Sequence, residues 1–286
     1  MSKQLVIGIG EILWDLLPSG RQLGGAPANF AWHSKCQGMD GHIVSAIGRD
    51  ALGEETRNLI AQKGIPATLV PVDAPTGTVG VTLSENGIPA YEIHQNVAWD
   101  FLPFTPEMEE FARRTDAICF GSLAQRSETT RTTIRRFLQL VPSNALRVFD
   151  INLRQHYYSK ELIEESIRLC NILKINDEET LVVAGLFRYD EKQPKAIAQR
   201  ILQEFHLQAV VLTCGAEGSA IYADNFASWM DTPKVTVIDT VGAGDAFTGA
   251  FVAALLKGAS MTDAHRIAVD VAARVCQAPG AMPEVV

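Results

Sequence analysis

Asp239-Thr240-Val241-Gly242-Ala243-Gly244-Asp245-Ala246-Phe247 is the stretch on which the reading of the fold depends. It follows a strand-like Val235 to Ile238 and opens a helical pattern that runs from Ala243 to Leu256. Small residues at a helix start let backbone N–H groups converge on an anion, and the helix dipole adds positive potential there, which suits a phosphate. Asp245 beside such a site has a use as a proton acceptor or a hydroxyl ligand. The alternative is an acidic residue stabilising the helix dipole, with the glycines serving a tight turn. On these residues alone both readings stand.

Outward from this stretch, short apolar β-branched runs alternate with longer amphipathic ones. Leu5 to Ile9, Ala28 to Gln37, His42 to Ile47 and Ala51 to Lys63 read as βαβα. The second half repeats it: strand-like Ala117 to Phe120, Arg147 to Ile151, Ile172 to Ile175 and Ala209 to Thr213 are separated by helical patterns at Thr129 to Leu140, Lys160 to Leu169 and Lys195 to Phe205. The expected fold class is α/β, with a doubly wound, mostly parallel sheet in a single domain over 1–286. Thr78 to Leu83 and Ala90 to Gln95 break the rhythm, alternating at period two around Asn86-Gly87, a hairpin-turn signal. They predict a small β-sheet lid built mainly from about 76–97, plus a short early segment. The last two helical patterns, Ala243 to Leu256 and Thr262 to Gln277, are rich in Ala and apolar residues and are expected to be largely buried.

The composition narrows the function. Lys plus Arg number 25 against 33 Asp plus Glu, a net charge of −8, the wrong sign for a nucleic-acid or anionic-membrane binder. No stretch reaches the roughly 20 apolar residues of a membrane span. Met1-Ser2-Lys3-Gln4 runs into Leu5 to Ile9 without a cationic leader, and the five cysteines are scattered, so reduced thiols and a cytoplasmic location are expected.

Other polar groups fall where α/β sheets bind ligands, at strand carboxyl ends. Gly24-Gly25-Ala26-Pro27-Ala28-Asn29 offers close backbone approach and, in Asn29, a donor and an acceptor for a polyhydroxyl compound; it also reads as an ordinary glycine-rich loop before a helix. Asp15 and Asp150-x-Asn152-x-Arg154 add further candidates. Asn176-Asp177-Glu178-Glu179 reads first as an Asn N-cap with an acidic first turn, and second as a carboxylate organising magnesium waters. Thr213-Cys214-Gly215-Ala216-Glu217-Gly218 is a strand-to-strand turn, or a glycine-lined edge against which a nucleotide lies. The Walker phosphate loop is missing. Gly8-Ile9-Gly10 begins like a dinucleotide fingerprint, but Leu13 stands where the third glycine belongs, which weakens a nicotinamide oxidoreductase reading.

Taken together and in this order, Gly24-Gly25-x-x-x-Asn29, Asn176-x-x-Glu179 and Asp239-Thr240-x-Gly242-Ala243-Gly244-Asp245 resemble the ribokinase-like (PfkB) carbohydrate kinases, over Gly10 to Pro283. The resemblance implies a doubly wound α/β domain with a β-lid and an ATP-dependent transfer to a sugar hydroxyl. It implies Asp245 as general base, Gly242, Ala243 and Gly244 as anion hole, and Asp15, Gly25, Asn29, Asn152 and Arg154 as sugar ligands. It further implies Asn176, Thr213, Gly215 and Gly218 at ATP, Glu179 at Mg²⁺ through water, and Asp239 with the backbone near Ala278 and Gly280 at K⁺. Pairing of two copies through the lid is a further implication. Gly-Gly-Ala-Pro-Ala-Asn is similar to fructokinases, while Ala26 and Pro27 depart from the ribokinase pattern; Asp150-x-Asn152-x-Arg154 is shared by fructokinases and ketodeoxygluconate kinases. Two departures stand out: Val269 occupies a position where many members carry Asn near the adenine, and the chain stops at Val286, earlier than most relatives. From another class, a sugar- or nucleotide-binding regulator that has lost turnover is the alternative, which the retained Asp245 disfavours.

Overall fold

The computed structural model describes residues 3–17, 20–83 and 89–284. Strand β1 (Leu5–Ile9) leads into β2 (Leu13–Leu17) and β3 (Gly20–Gly24), then helix α1 (Ala26–Cys36), β4 (Asp40–Gly48), α2 (Ala51–Gln62) and β5 (Ala67–Val72). A second pair, β6 (Gly77–Leu83) and β7 (Pro89–Ile93), precedes α3 (Pro106–Arg114), β8 (Ala117–Gly121), α4 (Glu128–Leu140) and β9 (Leu146–Asp150). There follow α5 (Lys160–Leu169), β10 (Ile172–Asn176), α6 (Asp177–Phe187), α7 (Pro194–Glu204) and β11 (Ala209–Thr213). The hairpin β12 (Gly218–Ala223) and β13 (Phe226–Asp231) and the helices α8 (Ala243–Leu256) and α9 (Met261–Val275) complete the chain.

Nine strands form the main sheet in the order β13-β12-β11-β10-β9-β8-β1-β4-β5. Neighbours from β11 to β5 pair in parallel, and β12 and β13 add antiparallel at the edge. A parallel sheet needs cover on both faces, which is why β1 and β8 are buried at every position. Val6, Val148 and Ile172 share a core with Phe247 and Phe251 of α8, whereas Ile7, Phe149 and Leu173 pack toward Phe137 of α4 and Ile163 of α5. The chain leaves β1 for β4 and β5 on one side and returns to β8 on the other, so strand order reverses beside β1; the crevice at such a reversal is where α/β sheets take ligands.

The second sheet has the order β3-β2-β6-β7. β6 pairs antiparallel with β7, as the alternating pattern predicts, while the Asn86-Gly87 turn lies outside the described residues. Half of this sheet comes from the early segment: β2 pairs antiparallel with β3 and parallel with β6, so Asp15 belongs to a strand of the lid. Arg126 anchors the base of this sheet to the core. Its Nε and Nη2 donate to Asp100 Oδ1 and Oδ2 at 2.8 Å each, Nη2 also donates to His94 O at 2.6 Å, and the guanidinium lies over Trp99 and Tyr157 at 4.0 and 4.6 Å.

Two expectations fail. Val235 to Ile238 forms no strand: β13 ends at Asp231, Ile238 N donates instead to Cys276 O at 2.8 Å, and Val237 and Ile238 are 58% and 63% exposed. β-Branched residues favour a strand only where a partner receives them. α8 is buried along its length from Ala246 to Ala254, as expected, but α9 is amphipathic and turns Thr262, Asp263, Arg266, Asp270 and Arg274 to solvent.

Candidate active site

Gly242 caps the start of α8, and its φ of 79° lies in the left-handed region that glycine enters without strain. A methyl group on Gly242 would also stand 2.6 Å from Ala281 O, so the turn and the C-terminal segment are in contact. Among the described residues the amides of Gly242, Gly244 and Asp245 donate to no protein acceptor, and that of Ala243 makes a long 3.3 Å bond to Thr240 O. Three open donors at a helix start are able to receive an anion.

Asp245 stands in the first turn of α8 and keeps part of its surface open. Its Oδ2 accepts from Asn29 Nδ2 at 2.8 Å, and Asn29 is placed by α1, where its amide bonds to Gly25 O at 2.9 Å. Loss of hydration pushes the Asp245 carboxyl up to about 7, and the negative Asp150 adds to this against the Asn29 hydrogen bond and the charges of Lys174 and Arg154. A base of that kind is poised for proton transfer near neutrality. Among the described residues Asn29 Oδ1 is buried with no protein partner, an acceptor that a ligand hydroxyl would satisfy.

Two groups here escape the sequence reading. Lys174 of β10 is register partner to Asp150 of β9, and its Nζ donates to Asp150 Oδ1 at 3.0 Å, both side chains being buried. Glu11, just after β1, is 2% exposed, and its Oε2 has no partner among the described residues. Burial raises the Glu11 carboxyl to about 7, with Asp245 contributing, while backbone amides and Arg154 pull the other way. Only the register of β9 against β10, and the return of α1 beneath β1, give these residues neighbours.

The remaining sugar candidates surround the same crevice. Asp15 is half-buried, and desolvation raises its carboxyl while Arg154 lowers it. Arg154 itself is exposed, and its Nη1 donates to Leu153 O at 3.0 Å; its charge acts on Glu11, Asp15 and Asp245 together. Asn152 carries a φ of 39°, and Ser122 Oγ donates to its carbonyl at 3.5 Å. That left-handed turn directs the chain past the end of β9.

A cavity of about 620 Å³ adjoins the start of α8 and holds Asn176, Thr213, Gly215 and Gly218 on one wall. Val235, Val237, Phe247 and Val269 give the same cavity an apolar part of its lining. Thr213 to Gly218 is the strand-to-strand turn that the sequence predicts, between β11 and β12. Asn176 caps α6: its Oδ1 accepts from Glu179 N at 2.7 Å, and Glu179 Oε2 accepts from Asn176 N at 2.9 Å. Glu179 Oε1 also accepts from Leu153 N at 2.9 Å, so both carboxylate oxygens tie the loop after β9 to the start of α6. Asp239 bridges similarly, accepting from Val241 N at 3.0 Å and from Gly280 N at 2.9 Å. The segment after Gly280 is held further by His33 Nε2 on Ala281 O (2.9 Å), Lys63 Nζ on Met282 O (3.0 Å) and Trp32 Nε1 on Pro283 O (3.2 Å).

The family model described as pfkB family carbohydrate kinase matches residues 20–285. The chain belongs to this family. Among curated PfkB relatives, "Probable fructokinase-4" of Arabidopsis thaliana is 28% identical over 271 residues, covering 87% of this chain and 82% of that protein. An uncharacterized sugar kinase of Pyrococcus horikoshii superposes with a TM-score of 0.82 at 25% identity, over 98% of this chain and 94% of that one. A fructokinase of Vibrio cholerae O395, solved with fructose, ADP and calcium, gives 0.82 at 22% identity, over 99% and 96%. The PfkB assignment agrees with the reading from Gly24, Asn176 and Asp239 onward, and makes the protein a sugar kinase. Among the described residues no helix is long and apolar enough to cross a membrane.

Proposed function

We propose that this PfkB kinase transfers the γ-phosphoryl group of ATP to fructose, giving fructose 6-phosphate. The observation that carries the reading is Asp245, open to the crevice, beside the unpartnered amides of Gly242, Gly244 and Asp245 itself. The cavity of about 620 Å³ suits a nucleotide whose base rests on Val235, Phe247 and Val269 and whose phosphates lead to Gly244. Val269 offers that base packing in place of a polar contact.

ATP with Mg²⁺, when bound, supplies the phosphoryl group and neutralises its charge. Asp245 accepts the proton of the attacking hydroxyl, and Asn29 orients its carboxylate. Asp15, Gly25, Asn29 and Asn152 hold the sugar. Thr213, Gly215, Gly218 and Asn176 border the nucleotide. Phosphoryl transfer needs alignment and charge stabilisation more than covalent help, and the α8 start supplies both. No cluster of three or more His, Cys, Asp or Glu is arranged for a metal among the described residues, which fits an ion held chiefly by phosphates and water, with Glu179 acting through water. A K⁺ ion near Asp239 would use lone pairs left by Val241 and Gly280 and carbonyls near Ala278.

Arg154 supports a second reading, a sugar acid such as ketodeoxygluconate, because a carboxylate would find a cation at the crevice mouth. The test is an ATP-consumption screen over fructose, ribose, ketodeoxygluconate, tagatose 6-phosphate and nucleosides, with and without potassium. Fructose is expected to give the highest kcat/KM; turnover of none of them returns the chain to the reading as a regulator that binds without transfer.

A further inference from the structure

We propose that Lys174 contacts the transferring phosphoryl group and that Asp150 is the residue that positions it, an inference that rests on the kinase reading above. A methyl group on Gly244 would stand 3.3 Å from Lys174 Nζ, so the ammonium lies directly across from the start of α8. Asp150 Oδ1, at 3.0 Å, is its hydrogen-bond partner among the described residues. An ammonium carries three donors, so two remain for a ligand.

Packing gives no reason for the pair. Val148 and Ile172 precede Asp150 and Lys174 by two residues on the same sheet face and are apolar core residues. Burying an ion pair costs desolvation that well-packed apolar residues avoid, so a charged pair at this depth is weak evidence for a stabilising role. Its place beside open amides points to chemistry. The groups facing Lys174 are Asp150, Glu179 and Asp245, which hold it charged against the opposing effect of burial. Three carboxyls would repel an incoming phosphate; the ammonium offsets them where the anion must arrive. Gly244, without a side chain, leaves the approach clear.

Nucleotide titration separates this role from a structural one. Binding of Mg·ATP and Mg·ADP is measured by calorimetry for wild type, Lys174→Met and Lys174→Arg, with kcat on whichever sugar the wild type turns over. Lys174→Met is expected to lose about tenfold or more in ATP affinity, to keep its ADP affinity within about threefold, and to lose about 10² to 10³ in kcat, with partial recovery in Lys174→Arg. ATP affinity and kcat both within about threefold of wild type would overturn the proposal, as would equal loss of ATP and ADP affinity. Should Lys174→Met fail to fold with Asp150 left unpaired, Lys174→Met combined with Asp150→Asn removes both charges and is judged by the same ATP-to-ADP ratio. A wild type that binds neither nucleotide would overturn the kinase reading and this one together; a wild type that binds ATP, with a variant that binds it equally well, would sink the Lys174 assignment alone.

Discussion

Asn29 Nδ2 donates to Asp245 Oδ2 at 2.8 Å, joining the first helix of the chain to the eighth across 216 residues of sequence. The hydrogen bond fixes the direction in which the carboxylate faces, and Asp245→Asn removes the base while keeping its shape. That variant is expected to lose about 10² to 10⁴ in kcat and to bind ATP as wild type does, because the amides it faces are backbone. Steady-state kinetics beside nucleotide titration check this; a kcat within a few-fold of wild type would rule Asp245 out as the base.

The pH profile follows from the same carboxyl. With Asp245 raised to about 7, kcat/KM is expected to climb as pH rises through that value and to level above it, since only the ionised form accepts a proton. Glu11 is also raised to about 7 and repels Asp245, so the limb belongs to the pair. Glu11→Gln removes one negative neighbour and should move the acid limb to lower pH.

Stability carries the opposite sign. A carboxyl whose folded value is raised favours the fold most below its ordinary value of 3.8, and that contribution is lost as pH rises through about 7. Asp245→Asn, which never ionises, should therefore gain more in Tm over wild type at about pH 8 than at about pH 4. An equal difference at both would show that Asp245 is not desolvated.

Arg154 decides between the two substrates. If fructose is the acceptor, Arg154→Ala slows turnover moderately; if a sugar acid is, a carboxylate loses its charged partner, costing about 1.5 to 3 kcal/mol, or roughly tenfold to over a hundredfold in kcat/KM. Both sugars assayed with both proteins give the answer, and a wild-type preference for the acid that collapses in the variant would exclude fructose.

Asp100 and Arg126 form a buried pair, each side chain 7% exposed. Asp100→Ala leaves the guanidinium unpaired between two rings and should destabilise the fold by about 3 to 5 kcal/mol in urea melts. A loss under about 1 kcal/mol would mean that water replaces the carboxylate there.

The alternation of β-branched and amphipathic runs was enough to read the parallel sheet, because strands covered on both faces are apolar throughout. Gly242 to Asp245 was legible because a helix start written in small residues is local chemistry. Lys174 was not, since a lysine inside Ile172 to Asn176 acquires meaning only from the register that sets it opposite Asp150. A short early part of the lid was expected, but its strands β2 and β3 had no bounds for a related reason: β2 pairs with β3 and with β6, and the single Asp15 between apolar neighbours looks like a loop polar group until that pairing exists. Val235 to Ile238 erred the other way, a strand-like composition whose backbone turns to Cys276 rather than to a strand.

The hydrogen bonds that hold Gly280 to Pro283 against α1, Lys63 and Asp239 have a consequence for biosynthesis. Gly242 rests on Ala281, so the turn that opens α8 has no floor until residues near 281 have cleared the ribosomal exit tunnel. Every strand of the main sheet precedes α8 in the chain, so the sheet can assemble on the nascent chain before that turn is supported. A nascent chain that has not yet reached Ala281 therefore holds a folded sheet beside a turn that still lacks its support.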